Sequence, residues 1–126
     1  MQIGFRMRGK GRDQQTDMQR LGRLLATLDE LEAGLHSERF GLQQRYESAA
    51  DSAAFAQQYY EDEAQDAWLP DQIEGLAQSL KDYGRRMETL QRQLELIGRL
   101  RASTRAFAED SGLQHVSRSN AFRAHH

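Results

Sequence analysis

The sequence contains no cysteine and only one proline. The lack of cysteine excludes disulfides, thiol catalysis and cysteine-based zinc sites. No run of about eighteen apolar residues occurs, so we expect no membrane-spanning segment and no membrane partner. The arginines near the N-terminus are not followed by an apolar segment, which argues against a secretory signal and favours a cytoplasmic location.

The composition indicates helices that bury a narrow apolar stripe. Hydrophobic residues make up 38% of the 126 residues and charged residues 29%. Leu, Ala, Gln, Arg and Glu are abundant, and all are strong helix formers. A compact globular domain normally has more apolar volume, whereas a coiled coil needs one stripe per helix. The length fits a single domain, covering residues 1–126.

The net charge of −2 conceals an uneven distribution of charge along the chain. Residues 1–12 carry four basic residues and no acidic one. Residues 46–80 carry eight acidic residues and no basic one, and residues 81–126 carry nine basic and five acidic residues. This partition predicts charged partners at particular places on the surface.

Residues 1–13 predict a short extended arm with a basic character. Ile3, Phe5 and Met7 alternate with polar residues, which is typical of an extended segment. Two glycines then interrupt the pattern. The basic side chains could contact the phosphates of a nucleic acid or an acidic protein surface. They are Arg6, Arg8, Lys10 and Arg12.

Residues 14–67 predict a long first helix. Thr16 and Gln19 fit a capping box at a helix start, and a stripe at the a and d positions of a heptad follows, with Glu32 and Arg39 filling two positions. The apolar members are Met18, Leu21, Leu25, Leu28, Leu35, Leu42, Tyr46, Ala49, Ala53, Ala56 and Tyr60. Glycines cluster near residue 37, where a break would give three helices instead of two.

Residues 72–111 predict the second helix, with a tail at residues 112–126. Eight consecutive a and d positions are apolar or aromatic, which indicates a helix that buries a seam. These positions are Ile73, Leu76, Leu80, Tyr83, Met87, Leu90, Leu94 and Ile97. Beyond them we expect the stripe to move to Leu100 and Phe107. Gly112 predicts a left-handed helix end, with Leu113 folding back on Phe107 or Ala108.

The only proline predicts a turn at residues 68–71. Pro70 disfavours helical geometry at the residue before it and is favourable in a first helical turn. If the chain folds back at residues 68–69, the numbers of facing residues sum to about 137 in an antiparallel hairpin. That rule places Arg105 near Glu32 and Arg101 near His36.

These patterns predict an all-α fold, a long antiparallel helical hairpin or coiled coil with a short extended N-terminal arm. Two helices alone leave much apolar surface open, so we expect a homodimer or a hetero-complex.

No pattern indicates an enzyme, a metal site or a cofactor. The sequence has no Gly-x-Ser-x-Gly elbow and no glycine loop that could cradle a phosphate. The acidic stretch near residue 62 lacks the glycine and the ligand spacing of a calcium loop. His36, four residues after Glu32, offers at most a weak pair of ligands. We therefore expect a non-enzymatic protein without metal or cofactor.

Aromatic residues beside carboxylates at the end of a hairpin are typical of protein-interface anchors, and Phe55 belongs to this aromatic group with Tyr59, Tyr60 and Trp68. The predicted partner-binding residues are Tyr59, Tyr60, Glu61, Asp62, Glu63, Asp66 and Trp68. The expected function is a coiled-coil interaction module of bacterial or phage type, such as an adaptor, a chaperone, a stalk or a phage- or plasmid-encoded inhibitor. The alternative is a nucleic-acid-associated protein that uses the basic arm.

Overall fold

The fold is an all-α helical hairpin, as predicted. The computed structural model describes the backbone of residues 2–62 and 69–113, and the side chains of those residues from residue 9 onward. Two long helices, α1 (Gln2–Asp62) and α2 (Leu69–Asp110), pack against each other, and the described residues contain no strand.

The chain divides into two compact units. The first unit comprises Met1–Ala33 and Glu95–His126, and the second unit is Gly34–Leu94. Each unit therefore contains a segment of both helices. That residues 1–126 form one domain stays a prediction.

The predicted extended arm is wrong, because α1 begins at Gln2 and includes residues 2–13. A lone extended segment has no strand to pair with, whereas a helix satisfies its N–H and C=O groups internally. Thr16 therefore lies inside the helix and does not cap it. Lys10 and Arg12 are exposed, and the side chains of Arg6 and Arg8 lie outside the described residues.

Helix α1 is continuous through residue 37, so the described residues form two long helices and not three. A glycine inside a helix costs about 1 kcal/mol relative to alanine. Leu35 is half-buried and Leu42 is buried, so the apolar stripe continues on both sides of the glycine-containing stretch. Burial of this stripe offsets the cost of the glycines.

Helix α2 begins at Leu69, three residues before the predicted start. Pro70 lies in the first turn, where its missing N–H leaves no intrahelical bond unmade. Leu69 is only 3% exposed and anchors this turn. Residues 63–67, predicted as the end of the first helix, lie outside the described residues, as does Trp68.

The predicted pairing of the two helices is wrong by one turn or more. In the first unit, Arg101 pairs with Glu32 and Asp29, where Arg105 had been expected near Glu32, and in the second unit Arg86 pairs with Glu38. The residue numbers of these pairs sum to between four and thirteen less than the predicted 137. The helices end at Asp62 and begin at Leu69, so the midpoint between them precedes the expected fold-back at residues 68–69. Because α2 begins at Leu69 and not at residue 72, the fold-back lies earlier in the chain and the paired numbers are lower.

The heptad frame correctly identifies the buried faces of both helices. All eight predicted seam positions of α2 are buried or half-buried, and Leu90 is 0% exposed. The apolar stripe predicted for α1 is also buried or half-buried throughout, and Leu25 is 2% exposed. A repeat of 3.5 residues thus positions these side chains along both helices.

Beyond Ile97, the seam keeps the same frame instead of moving. Arg101 is half-buried, and Thr104 and Ala108 are buried. The predicted shift to Leu100 and Phe107 is wrong, since these side chains remain exposed. Continuity of helix packing, not hydrophobicity alone, selects the buried residues in this part of α2.

Arg101 forms a polar layer within the seam of the first unit. Its Nη1 donates to Glu32 Oε2 at 3.1 Å, and its Nη2 donates to Asp29 Oδ1 at 3.0 Å. The side chains of Arg101, Glu32 and Asp29 are 19%, 34% and 31% exposed. The hydrogen bond to Glu32 is the main reason that the pKa of Arg101 is raised.

Gly112 ends α2 in the predicted left-handed conformation, with φ of 76°. Its N–H donates to the Glu109 carbonyl at 3.0 Å, and the Leu113 N–H donates to the Ala108 carbonyl at 2.7 Å. These two bonds define a Schellman motif. Leu113 is 5% exposed and Ala108 is 2% exposed, so Leu113 packs at the helix end while Phe107 stays exposed.

An exposed ion pair joins the two helices in the second unit. Arg86 Nε donates to Glu38 Oε2 at 2.7 Å, and Arg86 Nη2 donates to Glu38 Oε1 at 3.2 Å. This hydrogen bonding lowers the pKa of Glu38 and raises the pKa of Arg86. Nearby, Arg39 Nη1 donates to Gln91 Oε1 at 2.6 Å.

We expect Leu90→Asp to unfold the protein, because it places a carboxylate at a fully buried position. The substitution should cost about 4 kcal/mol or more, a large share of a small protein's stability. Circular dichroism and sedimentation measure the loss of helix and of compactness. Gln93→Asp, at an exposed position of the same helix, is the control. If Leu90→Asp has the same helix content and the same mass in solution as the wild type, Leu90 is not part of a buried seam.

Removing Arg101 should destabilise the first unit, because two partly buried carboxylates lose their shared partner. Arg101→Ala is expected to lower the free energy of unfolding by about 1–3 kcal/mol in urea titrations. Replacing Arg101 and Glu32 together by leucine should recover most of this loss, since apolar residues can substitute for an ion pair. The control is Arg99→Ala, at an exposed position. An equal loss from both single variants would contradict the polar layer.

The carboxyl group of Glu38 should titrate below its usual range. A lowered pKa means that the stabilisation by Arg86 is present above the unfolded-state pKa of about 4.3 and is lost in more acidic solution. Carbon-detected NMR should show the midpoint returning to its ordinary value in Arg86→Ala. Arg85→Ala, which removes a neighbouring exposed guanidinium, should leave it unchanged. Identical midpoints in the wild type and Arg86→Ala would exclude the pair in solution.

Candidate partner-binding site

An open groove lies in the second unit, where the last turns of α1 meet the first turns of α2. Its volume is about 660 Å³. We call it the tip groove. It is lined by Asp51, Ser52, Phe55, Ala56, Tyr59, Leu69 and Gln72.

Two aromatic side chains of α1 form the exposed wall of the tip groove. Phe55 and Tyr59 are one helical turn apart, which places them on the same face. Phe55 is 74% exposed and Tyr59 is 40% exposed. The buried side chain of Leu69 and the small, half-buried Ala56 complete the apolar lining. The groove therefore offers apolar area that the described residues leave largely uncovered.

The same aromatic pair borders a second, smaller hollow of about 150 Å³. Gln58 and Asp62 complete its lining. Phe55 and Tyr59 thus stand between two depressions and can contact a ligand in either. This arrangement resembles the aromatic anchors of protein interfaces.

The surroundings of the tip groove are acidic. Asp51 lines the groove itself, and Asp62 lines the neighbouring hollow. The side chain of Glu61 accepts a hydrogen bond from Gln57 Nε2 at 2.8 Å. The exposed acidic residues on the two helix segments are Asp51, Glu61, Asp62, Asp71 and Glu74. Residues 46–80 contain no basic side chain, so nothing in this segment neutralises them.

The structure places some of the predicted partner-binding residues at the groove. Tyr59 lines it, Glu61 and Asp62 are exposed nearby, and Tyr60 is instead half-buried on the seam face. Glu63, Asp66 and Trp68 lie outside the described residues. Their role in binding stays a prediction.

Four residues line the groove around Phe55 that the sequence did not identify, whereas Phe55 itself was expected to serve in recognition. Phe55 lies outside the a and d positions, so its side chain does not belong to the seam. Asp51 and Ser52 precede Phe55 by about one turn, and Leu69 and Gln72 reach the groove because α2 starts early.

A further open groove of the second unit surrounds another exposed aromatic residue. Phe40 is 65% exposed and shares this groove of about 620 Å³ with His36 and Arg39. Its remaining lining residues are Ser37 and Gln43. No acidic side chain lines it, so the two grooves differ in charge.

Within the described residues, no group of three or more His, Asp or Glu side chains is arranged to hold a metal ion. Every buried polar side-chain atom in that part of the chain has a hydrogen-bond partner. None of the described helices combines the length and the apolar character needed to cross a membrane.

Comparison of the chain with protein families, with curated proteins and with solved structures found no match.

Proposed function

We propose that the chain is a non-enzymatic interaction module that binds a protein partner at the tip groove. The observation that carries this proposal is the exposure of Phe55 and Tyr59 beside an apolar groove that residues 9–62 and 69–113 leave open. Aromatic residues that are exposed in the free protein and desolvated in a complex supply much of the binding energy of protein interfaces.

The charge around the groove specifies the chemistry of the partner. Five exposed carboxylates lie on the adjoining helix segments, and no basic residue accompanies them. A partner segment with apolar side chains flanked by Lys or Arg would fill the groove and pair with the carboxylates. Complementary charge raises the association rate and disfavours acidic competitors.

A helix is a suitable form for this partner segment. The groove runs between two helix segments, and an amphipathic helix can place side chains at i, i+3 or i+4, and i+7 into such a groove. Its apolar face would cover Phe55 and Tyr59 while basic residues at its edges meet Asp51 and Asp62.

The architecture favours a role as an adaptor, a chaperone, a stalk or a phage- or plasmid-encoded inhibitor, acting as a homodimer or within a hetero-complex. Each of these roles requires a stable helical scaffold and a surface that captures another protein. The heptad seam supplies the first requirement and the tip groove supplies the second.

A panel of variants tests the proposal. The partner is captured from a lysate of the native host, identified by mass spectrometry, purified and titrated by calorimetry. We expect Phe55→Ala to raise the dissociation constant about thirtyfold, because it removes a central aromatic anchor. Lysine at both Glu61 and Asp62 should also weaken binding, and more strongly at low salt.

Matched substitutions elsewhere in the second unit serve as controls. Phe40→Ala removes another exposed phenylalanine of α1, and Glu88→Lys reverses an exposed acidic residue of α2. Neither should change the affinity. If Phe40→Ala and Phe55→Ala weaken binding equally, or if the bound segment is acidic, the tip groove is not the docking site.

Nucleic-acid binding through the first residues is the alternative function. Lys10 and Arg12 are exposed on the first turns of α1, but the side chains of Arg6 and Arg8 lie outside the described residues. Retention of the same variants on immobilised DNA or RNA separates the two functions. Binding through basic residues should weaken steeply as the salt concentration rises. Retention that disappears on deletion of residues 1–12 and is unaffected by Phe55→Ala would favour this alternative.

A further inference from the structure

The first unit exposes large apolar side chains that do not belong to its own seam. Five of them are between 43% and 59% exposed. They are Leu24, Leu31, Leu96, Leu100 and Phe107. None of them lines the tip groove.

These side chains belong to a second stripe on each helix, with the spacing of a heptad. On α1, Leu24 and Leu31 are seven residues apart, with Thr27 between them. On α2, the steps from Leu96 to Leu100, Ser103 and Phe107 are four, three and four residues. Alternation of three and four residues is the repeat that buries a helix face against another helix. We call these seven residues the second stripe.

The second stripes of the two helices lie on the same side of the hairpin. Leu24 and Leu31 occupy the g positions of α1, and Leu100 and Phe107 occupy the g positions of α2. In an antiparallel pair, the g positions of the two helices flank the same edge of the seam. The bonded Glu38 and Arg86, both at g positions of the same frames, show this arrangement directly. Helices that are apolar at a, d and g are typical of bundles with more than two helices.

The α1 part of the second stripe is complementary to itself. If a second α1 runs antiparallel with Thr27 on the two-fold axis, Leu24 of each copy meets Leu31 of the other. The same alignment brings Arg23 of each copy to Glu30 of the other. Arg23 and Glu30 are exposed, and neither forms an ion pair within the described residues. A two-fold interface requires reciprocal contacts of this kind.

Thr27 suits a position on the axis of such a contact. Its hydroxyl already donates to the Arg23 carbonyl at 2.9 Å, so its polar atom needs no partner from the second copy.

We infer that two copies of this chain associate through the second stripe of their first units. Leu24 and Leu31 of the two α1 helices form the centre of the interface, with Thr27 on the two-fold axis and two reciprocal Arg23–Glu30 pairs at its edges. Leu100 and Phe107 of α2 add apolar area beside it. The result is a four-helix assembly.

Cysteine cross-linking tests the position of the axis on a chain that has no cysteine of its own. Under oxidation, Thr27→Cys should form a covalent dimer, because residue 27 lies next to its own copy. Ser48→Cys is the matched control, since it is exposed and three heptads further along the same face of α1. It should remain uncross-linked at the same protein concentration.

Charge reversal tests the alignment independently by sedimentation equilibrium of the full chain. Arg23→Glu and Glu30→Arg should each weaken the dimer about tenfold, since each brings like charges together. The double variant restores opposite charges and should recover the affinity of the wild type. Circular dichroism checks that all variants keep their helix content. We expect no change, because both positions are exposed.

Three outcomes would overturn the inference. One is a wild-type chain that sediments as a monomer up to about 100 μM, a concentration at which a specific dimer should form. Another is cross-linking of Ser48→Cys as fast as Thr27→Cys. The third is a double charge variant that is as weak as either single variant, which would indicate a different occupant of the second stripe.

Discussion

The ion-paired layer of Arg101, Glu32 and Asp29 is the constraint on which the alignment of the first unit depends. Leucine seams alone allow helices to slide by a heptad at little cost, because one apolar layer resembles the next. A charged layer removes that freedom, since any other alignment leaves a guanidinium or a carboxylate without a partner in a partly dry seam. The layer gives up some apolar burial and in return specifies a single pairing of the helices.

Much of the fold could be predicted from the sequence because the heptad is a local and repeated signal. The buried positions from Ile73 to Ile97 could be predicted from their spacing alone. The left-handed conformation of Gly112 could be predicted from its place just after the helix. The pairing of Arg101 required the length of the connection, which depends on whether Pro70 ends one helix or begins the next. The exposure of Leu100 and Phe107 could not be predicted from their hydrophobicity. The heptad spacing, and not the residue type, determines which side chains of this part of α2 are buried.

The candidate site could be predicted in its charge but only partly in its residues. Acidic residues without basic neighbours are visible in the sequence, so Glu61 and Asp62 were found. Phe55 and Tyr59 could be named from their residue type and their place beside the carboxylates. Leu69 and Gln72 could not, because they reach the groove only through the early start of α2. A groove forms where two helices do not pack closely, and this depends on the side chains of both helices together.

The Schellman motif at the end of α2 has a consequence for how far the chain can be shortened. Leu113 is buried although it follows the last helical residue by three positions, so the hydrophobic core extends beyond the secondary structure. Its backbone bond to Ala108 ties this extension to the last turn and protects that turn from fraying. A boundary drawn at the end of the helix would therefore remove a core residue, so a shortened chain should retain residue 113.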